Sequence, residues 1–310
     1  MEAMRIHNSP FTVTSAERKR YRQGVVCAIL AGCSMSTVGI LIRYIEAANE
    51  WQVIFYRSIT LAVMLIGVML INHRSRIGHG FAQAGMAAMA AGLFQAVAFT
   101  AFIFSITHAT VANTLFLLTA APFLTAIIAW IVIKEPVRRS TWLSMTVAFI
   151  GITVMVLNGL VVDALFGNLM GLLAAAGYSC FTVILRREHK KDMLPALFFA
   201  GVFSAIASAF MVEGFSLSLR DLLLCIALGV FALGLGLILF TWASRHVPAA
   251  ELVLLALTEV ILGPFWVWIG VGEIPSNPTL IGGLIMLVAI VGNAITGLNR
   301  KLPKHRIDHR

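Results

Sequence analysis

Glu259 lies in the run LLALTEVILGP, with leucine, valine and isoleucine on both sides. A carboxylate in such surroundings needs a counter-charge, a proton or a polar cavity, because burying an uncompensated charge is expensive. Two readings fit it: a group that carries charge or a proton at a ligand site, or a protonated acid hydrogen-bonded between helices. Other polar residues are scattered through equally apolar stretches. Gln95 has Phe99 and Phe102 one and two helical turns on; Tyr178, Ser179 and Thr182 follow a run of alanines; Ser34, Ser36 and Thr37 sit together, and Asn113, Thr114 and Thr119 dot another stretch. Amide, phenol and hydroxyl groups set among phenyl rings suit non-covalent binding of a small molecule that is part polar and part apolar. Ser34, Ser36, Gln95, Phe99, Thr119, Tyr178, Ser179, Trp242 and Glu259 are therefore the candidate substrate contacts. Hydroxyl and small residues also serve as plain packing contacts between helices, and Trp242, near the end of an apolar run, also fits an interfacial belt.

Two further charges have structural explanations. Arg57 lies two turns into an apolar run, where its long stem can snorkel to headgroups or to a helix C-terminus. Glu251 follows VPAA, and an acid in a first turn favours the helix dipole. Covalent chemistry has no foothold: HExxH, GxSxG, paired CxxC and the phosphate-binding GxxxxGK[ST] are all missing. The eight histidines fall in tails, links or run edges, so no buried cluster offers itself to a metal. Cys27, Cys33, Cys180 and Cys225 read as small packing residues rather than a disulfide framework. The chain is thus read as a non-enzyme with no cofactor and no metal. A channel would carry rings of charge or a repeated filter, and neither is found.

The elements that must hold these groups are apolar to an unusual degree. Hydrophobic residues make up 59% of the 310 and charged residues 12%, too little polar surface for a water-soluble domain of this size. Ten runs are each long enough, as helix, for a bilayer core of roughly 30 Å: 23–45, 51–72, 81–105, 111–133, 140–158, 167–186, 194–212, 220–243, 249–270 and 278–298. Helix is the only spanning form such runs allow. The expected fold class is an all-α integral membrane protein of ten helices. No cleavable signal peptide is read, since the first apolar run has full membrane length. Residues 1–22 and 299–310 form short basic tails, expected to be mobile.

Charge sets the orientation. With the N-terminus in the cytoplasm, the cytoplasmic tails and links hold twenty of the 23 Lys and Arg residues, the far side holds Arg43 and Arg220, and Arg57 lies within a span. That is the positive-inside bias, and it explains the net charge of +9 without nucleic acid. The expected partners are a small-molecule substrate and membrane lipid, with the chain acting as a monomer.

Shifted by 138 residues, the stretch from 104 to 154 lies over 242 to 292: His108 falls on His246, Ala112 on Ala250 and Glu135 on Glu273. Near the start of each half the offset is about 143, and Ser36 meets Ser179 while Arg43 meets Arg186. Residues 23–158 and 165–298 thus read as two five-span repeats. Five is odd, so the repeats sit upside down relative to each other, the architecture of many secondary transporters.

The second span, WQVIFYRSITLAVML, is similar to the aromatic–Arg signature of the drug/metabolite transporter superfamily, EamA type. THATVANTLFLLTAAPFLTAIIAWIVIKEP resembles that family's strongest motif, and SRHVPAAELVLLALTEVILGPFWVWIGVGEIPS has the same frame. The resemblance covers residues 23–298 and within the superfamily is greatest to the aromatic amino-acid exporters. It implies export of amino acids or related metabolites across the bacterial inner membrane by alternating access, with spans 1, 3, 4, 6, 8 and 9 around the cavity. Other metabolite or multidrug cargo, or a non-transporting scaffold or enzyme, are the alternatives. The topology is directly testable: a fluorescent protein fused after Arg310 should fluoresce and alkaline phosphatase at the same place should be inactive, and the reverse pattern contradicts it.

Overall fold

A computed structural model of the chain describes residues 15–73, 77–109, 111–156, 165–272 and 277–298. All regular elements among these are helical: α1 (Ser15–Met35), α2 (Val38–Arg43), α3 (Glu50–His73), α4 (Ile77–His108), α5 (Val111–Leu118), α6 (Ala121–Ile133), α7 (Arg139–Val156), α8 (Leu165–Arg187), α9 (Leu194–Ala209), α10 (Leu219–Ala227), a π-helical segment (Leu228–Leu235), α11 (Gly236–Ala243), α12 (Ala249–Ala256), α13 (Thr258–Val271) and α14 (Asn277–Leu298). Eight stretches among the described residues are long and apolar enough to cross a bilayer: Glu17–Arg43, Glu50–Ile71, Gly80–His108, Thr114–Ile133, Leu165–Arg187, Leu219–Ala243, Ala249–Gly270 and Leu280–Gly297. The other two expected spans are α9, apolar but only 16 residues long, and α7, whose expected end at 157–158 lies outside the described residues.

The first helix extends ahead of the expected span start. Helix starts at Ser15, not near residue 23, and Glu17 in its first turn favours the dipole. Tyr21 is buried there, its hydroxyl donating to Glu251. Residues 1–14 and 299–310, where mobile tails were expected, lie outside the described residues.

Several spans are interrupted near their middle, and the cause is local. Thr37 Oγ1 donates to the Ser34 carbonyl (2.8 Å), Thr119 Oγ1 to Phe116 (2.5 Å) and Thr258 Oγ1 to Leu255 (2.8 Å). In each case a hydroxyl takes a carbonyl three residues back at the point where one helix ends and the next begins. Pro122, at the start of α6, adds a missing donor just past the second break. The α13 helix runs unbroken past Pro264; the break in this span lies earlier, at Leu257. Between α10 and α11 the chain widens into the π-helical segment, and α4 is kinked at Gly85 (φ 56°).

The boundaries in the two halves repeat. Helix α12 begins and ends 138 residues after α5. Lys134 and Gly272, the same distance apart, both close their helices in the left-handed conformation (φ 55° and 76°). Helix packing shows the same exchange of halves: α4 packs on α8 as α1 packs on α11, α6 on α8 as α12 on α1, and α4 on α9 as α3 on the π-helical segment, while α7 pairs with α14 and α3 with α9.

Two close approaches seat the centre of the bundle. A Cβ at Gly177 would lie 2.8 Å from the Phe94 carbonyl, and one at Gly229 2.6 Å from the Arg57 carbonyl. Without a side chain at either place, α8 lies against α4 and the π-helical segment against α3, as small residues allow between membrane helices. Gly177→Val should therefore destabilise the fold by about 1–3 kcal/mol, read as a lower melting temperature in detergent, whereas Gly67→Val, with open space at its Cβ, should not.

Candidate functional site

The interrupted helices meet at one cavity of ≈ 100 Å³, room for several waters. Met35 and Val38 reach it from either side of the α1–α2 break, Leu118 from the end of α5, Leu233 from the π-helical segment and Glu259 from the start of α13. Gln95, Ala98, Phe99 and Phe102 line it from α4, Ala174 and Tyr178 from α8, and Arg57 from α3. A helix break leaves backbone groups without intrahelical partners, tolerated at membrane depth only where protein or a water-filled cavity covers them. A π-widened turn is likewise a frequent mark of a functional site.

Four of the nine candidate residues, Gln95, Phe99, Tyr178 and Glu259, share this cavity. Its polar groups are incompletely used: Gln95 Oε1, Tyr178 Oη and Arg57 Nε are buried without a hydrogen-bond partner. The Phe99 carbonyl accepts Arg57 Nη2 (2.9 Å), and the guanidinium lies 5.2 Å from the Phe99 ring centroid, within cation–π range. Arg57 is 1% exposed. It does not snorkel to headgroups as its sequence position suggested, because its stem turns into the bundle toward α4. Sequence reasoning missed it as a cavity residue; the signal was the length of the run on either side of it.

The other five candidates do not line the cavity, and the four hydroxyl residues among them have their polar groups engaged elsewhere. Ser34 Oγ donates to the Phe231 carbonyl (2.5 Å), a group of the π-helical segment. Ser36 is buried, donates to Cys33 (2.6 Å) and accepts Trp266 Nε1 (2.7 Å). Ser179 donates to the carbonyls of Ala121 (3.1 Å) and Ala175 (2.7 Å). The two serines that the repeat superposes thus each tie a helix to the interrupted helix of one half, α13 or α6. Thr119 closes its own break. Trp242 packs edge-on to His246, 4.7 Å between centroids. Burial, together with Arg20, Arg245 and Arg186, holds the His246 imidazole below its ordinary value.

Tyr178 stacks with Phe181 and lies tilted against Phe240, 5.3 Å between centroids, so aromatic rings back it in the cavity wall. Phe94 does not join it, being 40% exposed on the outside. Asn113 falls where side chains are outside the described residues.

At the face where α1 begins, a polar network joins the halves. Arg138 Nη2 meets Glu251 Oε1 at 2.9 Å, Tyr21 donates to the same oxygen, and Asn293 Oδ1 accepts Thr141 (3.1 Å) and Arg138 (3.4 Å). Beside it Glu135 pairs with Arg186 (3.0 Å) and accepts the Ala249 amide (3.1 Å), and Arg245 pairs with Asp192 (3.1 Å). Glu251, read as a dipole acid, is thus also a cross-link. The opposite face is tied by Tyr44 to the Gly270 carbonyl (2.7 Å) and by Asp221 to the amides of Glu46 (3.3 Å) and Ala47 (3.1 Å). Among the described residues no three His, Cys, Asp or Glu side chains converge as metal ligands.

The sequence matches the EamA-like transporter family over residues 22–157 and again over 165–295. The chain belongs to that family, within the drug/metabolite transporter superfamily, and is a multi-pass membrane protein. Among curated relatives, the pseudopaline exporter CntI of Pseudomonas aeruginosa is 24% identical over 279 residues, 87% of this chain and 95% of that one. An uncharacterized transporter of Helicobacter pylori is 23% identical over 258 residues, 76% of this chain and 85% of its own length. A solved crystal structure shares the fold, with a TM-score of 0.70 and 16% identity over 88% of this chain and 98% of that one.

The network at the α1 face gives a direct test of its strength. Arg138→Gln leaves Glu251, 1% exposed, with one fewer charged donor and should cost about 1.5–3 kcal/mol in thermal melts, whereas Arg187→Gln, whose side chain is 62% exposed, should leave the melt unchanged.

Proposed function

We propose that the chain is a secondary transporter that exports amino acids, aromatic ones among them, or closely related metabolites across the bacterial inner membrane. The observation that carries this reading is the convergence of interrupted helices on one cavity with unpartnered polar groups and a phenyl wall. Discontinuous helices at a central cavity are how many secondary carriers build cargo sites. Phe99 and Phe102 would meet the apolar part of the cargo, Gln95 and Tyr178 its polar groups, and Glu259 would carry charge or a proton.

In this reading the architecture is ten spans in two inverted five-helix repeats, residues 23–158 and 165–298, with both termini in the cytoplasm. Support comes from the twofold family match, the repeated boundaries and the exchange symmetry of packing. Alternating access would rock one repeat against the other, and the polar network at the α1 face would open in the cytoplasm-facing state. A second reading keeps the mechanism and changes the cargo to a larger metabolite, as in the relative described as a pseudopaline exporter.

Liposomes holding the pure protein should take up labelled phenylalanine, threonine or methionine above empty liposomes. If a pH gradient speeds that flux, Glu259→Gln should remove the gradient dependence while keeping the melting transition. Uptake of none of them by folded protein contradicts amino-acid transport, and unchanged pH dependence in the variant contradicts the role of Glu259.

A further inference from the structure

Arg57 and Glu259 are the two charged residues of the cavity, and they stand on different walls, α3 and α13. They do not pair with each other. Among the described residues Glu259 makes no ion pair or hydrogen bond, and the only such contact of the Arg57 guanidinium is with the Phe99 carbonyl. No carboxylate of the described residues neutralises Arg57: Asp221, on neighbouring α10, has its two carboxylate oxygens on the amides of Glu46 and Ala47. Guanidinium keeps its charge under all ordinary conditions. A cation 1% exposed in the bundle, with Nε unpartnered, is a poor structural element, since a buried charge without its counter-charge destabilises the fold. Its fork geometry matches a carboxylate.

We propose that this cavity reads a zwitterion, Arg57 receiving the carboxylate of the cargo and Glu259 its ammonium group. This rests on the reading of the cavity as the cargo site, and it adds what the cargo must carry: both charges on one small molecule. Cargo binding then supplies the missing partner of each residue at once. A cation without a carboxylate leaves Arg57 unpaired, and an acid without an amine leaves Glu259 unpaired. The site therefore discriminates against both, by the cost of the partner left bare.

The test uses the full chain in liposomes and three labelled probes of one shape: phenylalanine, phenethylamine, which lacks the carboxylate, and 3-phenylpropanoate, which lacks the amine. The wild type should carry phenylalanine at least tenfold faster than either analogue. Arg57→Gln should erase the preference for phenylalanine over phenethylamine while keeping the preference over phenylpropanoate. Glu259→Gln should do the reverse. Arg57→Lys, which keeps the charge, should retain the preference over phenethylamine, and it guards against an Arg57→Gln protein that fails to fold. Flux of phenylalanine and phenethylamine at equal rates in the wild type overturns the zwitterion proposal and leaves transport standing. Flux of none of the three, from protein with an intact melting transition, overturns this proposal and the amino-acid reading together.

Discussion

A peptide group inside a bilayer has no water to bond, so a membrane helix can be interrupted only where something else covers the bared amides and carbonyls. That constraint organises this molecule. The breaks after Met35, Leu118 and Ala256 and the widened turn at Leu228–Leu235 each need cover, and they obtain it by converging. Hydroxyls of Thr37, Thr119 and Thr258 take one carbonyl at each break, and Ser34 takes one in the widened turn. Because the breaks face one another, residues flanking each of them line one shared cavity. Glycines at 177 and 229 bring the walls close enough that Tyr178 and Arg57 reach it.

The same constraint divides the hydroxyl residues by task. Ser36 and Ser179 have their oxygens committed to Cys33 and Trp266 and to Ala121 and Ala175. They fix interrupted helices in place and have little left to offer a ligand. Gln95 and Tyr178 are the reverse, with polar atoms in the cavity wall and no protein partner. Committed and unpartnered polar groups thus stand only one position apart, as at Ser179 and Tyr178. The two faces of the bundle are tied by longer side chains, Arg138 and Glu251 on one and Tyr44 on the other. Contacts of that kind can be exchanged without disturbing the interrupted core.

Much of this was legible in the sequence because lipid imposes a strong rule. Run length locates the spans: among the described residues, eight of the ten expected runs are helical stretches of membrane-crossing length, with α9 falling short at 16 residues. Family membership was legible from the span-four motif and its second copy. Gln95, Phe99, Tyr178 and Glu259 could be named because each stands out chemically from its run. Direction was not legible. A serine at 34 or 179 looks the same whether it faces a cavity or a carbonyl, and only the rotation of its helix decides. Arg57 was misread for the same reason, since a long side chain near a span end can reach outward or inward. The break at Leu257 was hidden because Pro264, the obvious helix breaker, lies seven residues further on and α13 absorbs it.

The central claim is that the cavity among the interrupted helices is reached from both sides of the membrane in turn and holds the cargo. Leu118 lines it and can be replaced by a lone cysteine in a background freed of Cys27, Cys33, Cys180 and Cys225. A membrane-impermeant thiol reagent is then applied to right-side-out and to inside-out vesicles, with and without phenylalanine. The account predicts labelling from both sides and protection by phenylalanine in both. Labelling from one side alone, or labelling that phenylalanine does not slow, would contradict it.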